Sequence, residues 1–148
     1  MDEDTTTSFV YFKDIPLAIL TGILIGLGLA VYYPFPVTFS AIPIDALSFI
    51  VMKNLFVLSI LYFARASPGI QVLILMNNSL VQAYLISSAM ILGIQIEAIV
   101  SLLFAALENG LFAGISLESR NNVITTNCRK VRYPLLIIVS SILEALIL

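Results

Sequence analysis

The sequence predicts an all-α, polytopic membrane protein in which a single domain holds a bundle of five transmembrane helices. Of the 148 residues, 60% are hydrophobic and only 11% are charged, whereas soluble domains average about 45–50% and about 25% respectively. The mean hydropathy of +1.07 points the same way. So few polar residues cannot cover a surface in water, and a backbone surrounded by lipid satisfies its hydrogen bonds most simply as helices.

Five apolar stretches, each bounded by charged residues, proline or asparagine, mark the expected spans. We place them at about residues 16–33, 46–64, 70–91, 96–117 and 133–148. Crossing a hydrocarbon core takes roughly 20 helical residues, with a range of about 17–25, so the first four stretches are long enough and the fifth is short. The acidic N-terminus lacks the basic region and cleavage motif of a signal peptide, so we expect the first stretch to be retained.

The third and fourth spans form one almost unbroken apolar run over residues 70–117. The run is too long for a single span and has the length of a helical hairpin. We place the turn at residues 93–97, because Gly93 permits a tight turn and Gln95 and Glu97 can reach water.

The basic residues predict the orientation. Five alternating spans with a cytoplasmic N-terminus place six basic residues on the inner side: Lys13, Arg65, Arg120, Arg129, Lys130 and Arg132. Only Lys53 falls on the outer half. This asymmetry follows the positive-inside rule and predicts a cell-membrane protein with its N-terminus inside and its C-terminus outside.

Small residues recur at helical spacing in two spans. Gly22 and Gly26 form a GxxxG pair in the first span, and Ala106, Gly110 and Gly114 repeat every four residues in the fourth. Small residues on one face let two helix backbones approach closely in lipid. They predict helix packing either within the bundle or between copies in a homodimer.

Polar residues inside the spans are the candidate functional residues. They are Asn54, Asn77, Asn78, Gln82, Glu108, Asn109 and Glu144. Hydrocarbon disfavours a polar or charged side chain, so these residues should face the bundle interior or a cavity. No basic residue is expected at the depth of Glu108, so we expect it to be a neutral acid that donates a hydrogen bond to Asn77 or Asn78.

We therefore predict an intramembrane polar cluster of five residues: Asn54, Asn77, Asn78, Glu108 and Glu144. Three roles remain open for it. The cluster can fix helix register, carry a proton or cation, or present a polar face to a partner's span.

The sequence lacks the residues that several classes of functional site require. There is no histidine and one cysteine, Cys128, so we expect no metal site, no cofactor, no intramolecular disulfide and no histidine base. No nucleotide-binding or hydrolase motif occurs, and no basic stripe with aromatic residues suggests nucleic-acid binding. Glu108 and Glu144 are expected at different depths, so they should not act as a catalytic pair.

Three segments of the sequence resemble the stage II sporulation protein M family. These are Lys53-Asn54-Leu55 at the second span, Glu108 followed by Ala113-Gly114, and the last span from Tyr133-Pro134-Leu135 to Ile142-Leu143-Glu144-Ala145, while Asn78-Ser79 stands where the family tends to have Asn-Gly. Phe104-Ala105 departs from the His-Gly that the family often has before its glutamate. The resemblance implies a non-catalytic membrane anchor and directs attention to Asn54, Asn78, Glu108 and Glu144.

Together these observations predict a non-enzymatic scaffold or subunit. It would act through helix–helix contacts with other membrane proteins or a second copy, in a lipid bilayer. The alternative is a small transporter or permease subunit with a proton- or cation-linked Glu108. A water-accessible cavity at Glu108, Asn78 and Asn54 would favour transport, and a dry packed seam would favour the scaffold.

Overall fold

Five α-helices make up most of the described chain in this computed structural model, which describes residues 3–36, 44–120 and 127–147. The helices are α1 (Glu3–Tyr32), α2 (Ile44–Phe63), α3 (Pro68–Ile91), α4 (Gln95–Arg120) and α5 (Asn127–Ile147), and a short 3₁₀ helix (Ala64–Ala66) joins α2 to α3. These ranges contain no strand, so the all-α prediction is confirmed. Residues 37–43, between the first two expected spans, and residues 121–126, between the last two, lie outside the described residues.

Two helices begin earlier than the apolar stretches that predicted them. α1 begins at Glu3 and contains Pro16, the first residue of the stretch expected at about residues 16–33, and α5 begins at Asn127 and contains Pro134. Hydropathy marks where a chain enters lipid, whereas a helix continues as long as its backbone hydrogen bonds do. The predicted starts therefore marked where the sequence becomes apolar rather than where the helices begin.

The turn between α3 and α4 is tighter than the sequence suggested. Gly93 has φ of +85°, the left-handed conformation that glycine adopts without strain. The N–H of Ile94 donates to the Ala89 carbonyl oxygen at 3.0 Å, and the N–H of Gly93 donates to the Met90 carbonyl oxygen at 3.1 Å. This pair of bonds is a Schellman cap, which satisfies the last carbonyls of α3 and lets α4 begin at Gln95.

Among the described residues, three helical segments are long and apolar enough to cross a membrane. They are Lys13–Tyr32, Pro68–Ile91 and Gln95–Ser119. A shorter apolar helical segment, Ile50–Phe63, belongs to α2. Length and composition therefore make this a candidate membrane protein with at least these three potential spans.

α1 packs along α3 through a stripe of small residues. Ala18, Gly22, Gly26 and Ala30 recur every four positions on α1 and are all buried. A Cβ at Gly22 would lie 3.0 Å from both Leu80 N and Ser79 Cβ, and would overlap the Met76 carbonyl oxygen. The two backbones are thus in direct contact, as expected for a GxxxG face in lipid.

The core contains two apolar clusters, one towards each end of the bundle. The larger cluster contains Ile15, Leu58, Leu61, Leu75, Phe112, Ile115, Tyr133 and Ile137. The smaller cluster contains Ile86, Ala89, Ala98 and Ala105, and lies beside the α3–α4 turn. α4 packs against α2, α3 and α5 and so is the central helix of the bundle.

Candidate functional site

A hydrogen-bonded set of polar side chains lies between the two apolar clusters. This polar network has seven members, contributed by α2, α3, α4 and α5: Asn54, Asn78, Ser79, Gln82, Glu108, Asn109 and Ser141. All are buried except Gln82, which is half-buried. Because its members lie on four helices, the polar network links α2, α3, α4 and α5 at one level of the bundle.

Glu108 connects three of these helices directly. Its Oε1 accepts a hydrogen bond from Asn54 Nδ2 of α2, and its Oε2 accepts one from Gln82 Nε2 of α3 at 2.9 Å. Asn54 Nδ2 also donates to Ser141 Oγ of α5 at 3.0 Å. Because Glu108 is only 2% exposed, its polar contacts are with neighbouring side chains rather than with solvent.

Asn109 extends the network to the side of α3 that faces α4. Its Nδ2 donates to Gln82 Oε1 at 2.7 Å, and its Oδ1 accepts from Asn78 Nδ2 at 3.2 Å. Ser79 Oγ lies 3.3 Å from the same oxygen, although its nearer acceptor is the Leu75 carbonyl at 2.7 Å. Each amide of Gln82 and Asn109 thus both donates and accepts, which makes the arrangement continuous rather than a set of separate pairs.

The structure brings together Asn54, Asn78 and Glu108 but leaves Asn77 outside the polar network. Asn77 is exposed on α3 and makes no hydrogen bond to the described residues. Successive helical residues point about 100° apart, so Asn77 and Asn78 cannot both face α4. The expected direct bond from Glu108 to Asn77 or Asn78 is also replaced, since Asn54 and Gln82 contact Glu108 instead.

Glu144 and Lys53 lie beside the polar network rather than within it. Glu144 is half-buried on α5, one turn beyond Ser141. Lys53 directly precedes Asn54, and it is close enough to interact electrostatically with both Glu108 and Glu144. The expectation that no basic residue shares the depth of Glu108 is therefore wrong, while the different depths expected for Glu108 and Glu144 stay a prediction.

Two buried polar atoms near the centre of the bundle have no hydrogen-bond partner among the residues that the structure describes. They are Asn54 Oδ1, on a side chain that is 0% exposed, and Ser140 Oγ, on one that is 1% exposed. A buried acceptor without a donor is costly, about 1–3 kcal/mol. These atoms mark the part of the site that the described side chains leave unsatisfied.

The small residues of α4 do not share one role. Gly114 packs against the Tyr133 ring, where an added Cβ would lie 3.0 Å from the Tyr133 hydroxyl oxygen. Ala106 and Gly110 are exposed, and no atom would lie within 4 Å of a Cβ at Gly110. The face with Glu108 and Phe112 turns inward, which directs Ala106 and Gly110 outward. Their predicted packing within the bundle is not found among the described residues.

Three contributors to the site were not predicted from the sequence. They are Lys53, as a neighbour of the glutamates, and Ser79 and Ser141, as members of the polar network. Both serines donate to the carbonyl four residues earlier, Leu75 and Ile137 respectively. A serine hydroxyl that bonds to a carbonyl of its own helix can lie in hydrocarbon without an unpaired donor. A serine in an apolar stretch therefore does not by itself indicate a polar contact with another helix. Lys53 did give a signal, as the one basic residue on the outer half of the spans.

The site's chemistry is that of neutral amides and hydroxyls around one carboxyl group. Among the residues described, no three His, Cys, Asp or Glu side chains come together as a metal site. The geometry can hold four helices in register, and it keeps an ionisable group in the interior of the bundle.

Comparison with known proteins finds no matching family model, curated protein or solved structure.

Proposed function

We propose that the chain is a multi-pass cell-membrane protein with five spans that acts as a non-enzymatic scaffold or subunit. It would recognise other membrane proteins, or a second copy of itself, through helix–helix contacts within the bilayer. The observation that carries this proposal is the burial of Glu108, at 2% exposed, inside a network shared by four helices. A seam so tightly hydrogen-bonded serves to hold the bundle in one arrangement, leaving its outer faces for recognition.

The polar network supports crossing of the bilayer by α2 and α5. Asn54 is the eleventh of the 20 residues of α2, and Glu108 is the fourteenth of the 26 residues of α4. Their hydrogen bond therefore joins the middles of the two helices, and the bond from Asn54 to Ser141 brings α5 to the same level. If α4 spans the membrane, α2 and α5 lie alongside it at mid-depth.

The basic residues support an N-inside, C-outside orientation. Lys13, Arg65, Arg120 and Arg132 all lie in sequence near residues of the larger apolar cluster, and so towards the same end of the bundle. An end that collects positive charge is retained on the cytoplasmic side. The basic residues at the start of α5 belong to this end as well.

The surface supports recognition by membrane partners. Large apolar side chains are exposed along every described helix, among them Leu24, Phe56, Leu73, Leu103 and Leu135 at 57–67%. Lipid covers such a surface at no cost, and a partner helix replaces lipid when its shape and polar groups fit better. The resemblance to the stage II sporulation protein M family, whose sporulation member is a membrane anchor, is in line with this role.

Purification from native membranes in a mild detergent tests the proposal. We expect the chain to elute with a defined membrane protein or as a specific homodimer, and expect Glu108→Gln to elute in the same way. An elution of the folded chain alone, with no partner and no dimer after cross-linking in intact membranes, would contradict the scaffold role.

The second candidate is a transporter subunit, and the unpartnered Asn54 Oδ1 favours it. This oxygen, with Ser140 Oγ, offers acceptors of the kind that bind a cation or an ordered water near Glu108. Flux of protons or Na⁺ into proteoliposomes would support this candidate if it were lost in Glu108→Gln, because glutamine cannot ionise. Absence of flux in the wild-type chain, or its survival in Glu108→Gln, would count against it.

A further inference from the structure

We propose that the groove between α2 and α3 binds a transmembrane helix of a partner protein that carries an Asp or Glu side chain at mid-membrane depth. The inference rests on the proposed function, since it names the chemistry of the partner and the surface that binds it. It starts from Lys53 and Asn77, two polar side chains on the mostly apolar wall of this groove.

The groove, hereafter the α2–α3 groove, has the shape of a helix-binding site. Its walls are Lys53, Phe56, Val57 and Ile60 of α2 and Ile70, Leu73, Ile74, Asn77, Asn78 and Val81 of α3. On both helices these residues recur at three- and four-residue intervals, which places them on one face. From residue 70 to residue 81 the α3 wall runs for about 16 Å, or three helical turns. A groove of this length matches a helix better than a compact solute.

Lys53 and Asn77 make the α2–α3 groove unusual for a lipid-facing surface. Lys53 is the tenth of the 20 residues of α2, and Asn77 is the tenth of the 24 residues of α3. Neither makes a hydrogen bond or direct ion pair with the described part of the chain. The ammonium group of Lys53 has three donors, and the amide of Asn77 has two donors and one acceptor oxygen, so donors outnumber acceptors on these two side chains.

The chain's own acidic groups do not supply those acceptors. Glu108 and Glu144 attract Lys53 electrostatically, but neither forms a direct ion pair with it in the described part of the chain. Both oxygens of Glu108 already accept bonds from Asn54 and Gln82. A lysine at the centre of a span is costly unless a carboxylate compensates it. The missing element is therefore an acid that approaches from the open side of the α2–α3 groove.

Two other occupants fit less well. Lipid headgroups lie at the ends of the helices, and Lys53 is about 14 Å from the nearer end of α2, further than its side chain extends. A second copy would have to supply an exposed acid at mid-depth. Among the described residues, the acids nearest to that depth are Glu108, which is buried, and Glu144, which is half-buried, so neither is exposed. A different protein, with its own acidic residue, is the remaining source.

Synthetic peptides test this recognition directly. The full chain is placed in nanodiscs, and binding is measured by energy transfer to a labelled Leu/Ala helix of about 22 residues with Asp, Asn or Leu at its centre. We expect the Asp peptide to bind about tenfold more tightly than the Leu peptide, since polar contacts between helices in lipid are of that strength. The Asn peptide should fall between them.

Two groove variants and one control identify the surface. Lys53→Met should remove the preference for the Asp peptide, and Asn77→Leu should reduce it severalfold. Lys13→Met, which removes an exposed cation outside the groove, should leave the preference unchanged. If Lys53→Met does not fold, Lys53→Gln and Asn77→Leu carry the test, with folding checked by circular dichroism and gel filtration.

Several results would overturn the proposal. Equal binding of the Asp and Leu peptides, or an Asp preference that survives in Lys53→Met, would show that the α2–α3 groove does not recognise an acid. Displacement of the Asp peptide by more phosphatidylglycerol would assign the groove to lipid, and loss of homodimers in Lys53→Met would assign it to a second copy. If a natural partner copurifies equally with wild type and Lys53→Met, the scaffold role stands and only the groove assignment fails.

Discussion

Replacing Gly22 with alanine tests how closely α1 and α3 must approach. The added Cβ would lie 3.0 Å from Leu80 N and Ser79 Cβ, inside the 3.4 Å at which ordinary contact begins, and would overlap the Met76 carbonyl oxygen. Two of these three atoms belong to the α3 backbone, so truncating a side chain on α3 cannot relieve the clash. The helices must move apart along the whole stripe of small residues.

We expect a loss of about 2–3 kcal/mol in the free energy of unfolding, the upper part of the range for overpacked interiors. Gly28→Ala is the matched control, because its added Cβ would meet no atom of another described helix within 4 Å. Alanine favours a helix over glycine by up to about 1 kcal/mol, so the control should be neutral or slightly stabilising. The difference between the two variants isolates the steric term from helix propensity.

Unfolding by SDS in mixed micelles measures this difference, followed by energy transfer between dyes on α1 and α3. Gly22→Ala should lose transfer at a clearly lower SDS fraction than Gly28→Ala, while helix content stays similar in both. If the two variants unfolded together, direct backbone contact between α1 and α3 would not contribute to stability and the reasoning would be refuted.

Three further predictions use the same unfolding assay. Glu108→Gln should lower the free energy of unfolding by less than about 1 kcal/mol, because Asn54 can turn its amide and accept a bond with Oδ1. Glu108→Leu leaves the amide donors of Asn54 and Gln82 unpaired, so it should lower it by about 2–4 kcal/mol. Equal losses in the two variants would argue against the network geometry. Asn78→Leu should cost about 1 kcal/mol and Asn77→Leu nothing measurable, since only Asn78 bonds to α4; the reverse order would mean that α3 is rotated. Gly93→Ala should lower the free energy of unfolding by about 1 kcal/mol, because alanine is strained at the positive φ of this position. Gly69→Ala, whose added Cβ meets open space, should not lower it. A Gly93→Ala variant as stable as the wild type would show that the turn has another conformation.

Much of the fold was predictable because lipid imposes a simple rule on the backbone. Apolar stretches of sufficient length become helices, and the expected stretches at about residues 46–64, 70–91 and 96–117 agree closely with α2, α3 and α4. The ends of α1 and α5 were less predictable, because a helix does not stop where the hydrocarbon does. Gly93 was recognised as the turn residue because only glycine adopts its φ freely.

The candidate site was predictable in its members but less so in its contacts. Asn54, Asn78 and Glu108 stand out in the sequence since polar residues are rare in spans, and all three belong to the polar network. Asn77 stands out equally and faces the α2–α3 groove instead. Which of two adjacent polar residues turns inward depends on the rotation of α3 against its neighbours, a quantity that its own sequence does not define.

By itself the sequence determined that this chain is helical, where its apolar helices lie, and which residues are too polar for hydrocarbon. These properties are local, since they depend on the transfer of each residue between water and lipid and on backbone bonds within one helix. Only the tertiary structure decided that Gly22 and Gly26 face α3, that Gln82 rather than Asn77 reaches Glu108, and that Lys53 borders an open groove. Those outcomes depend on how helices pack, because packing selects the side of each helix that is buried and thereby the polar groups that meet.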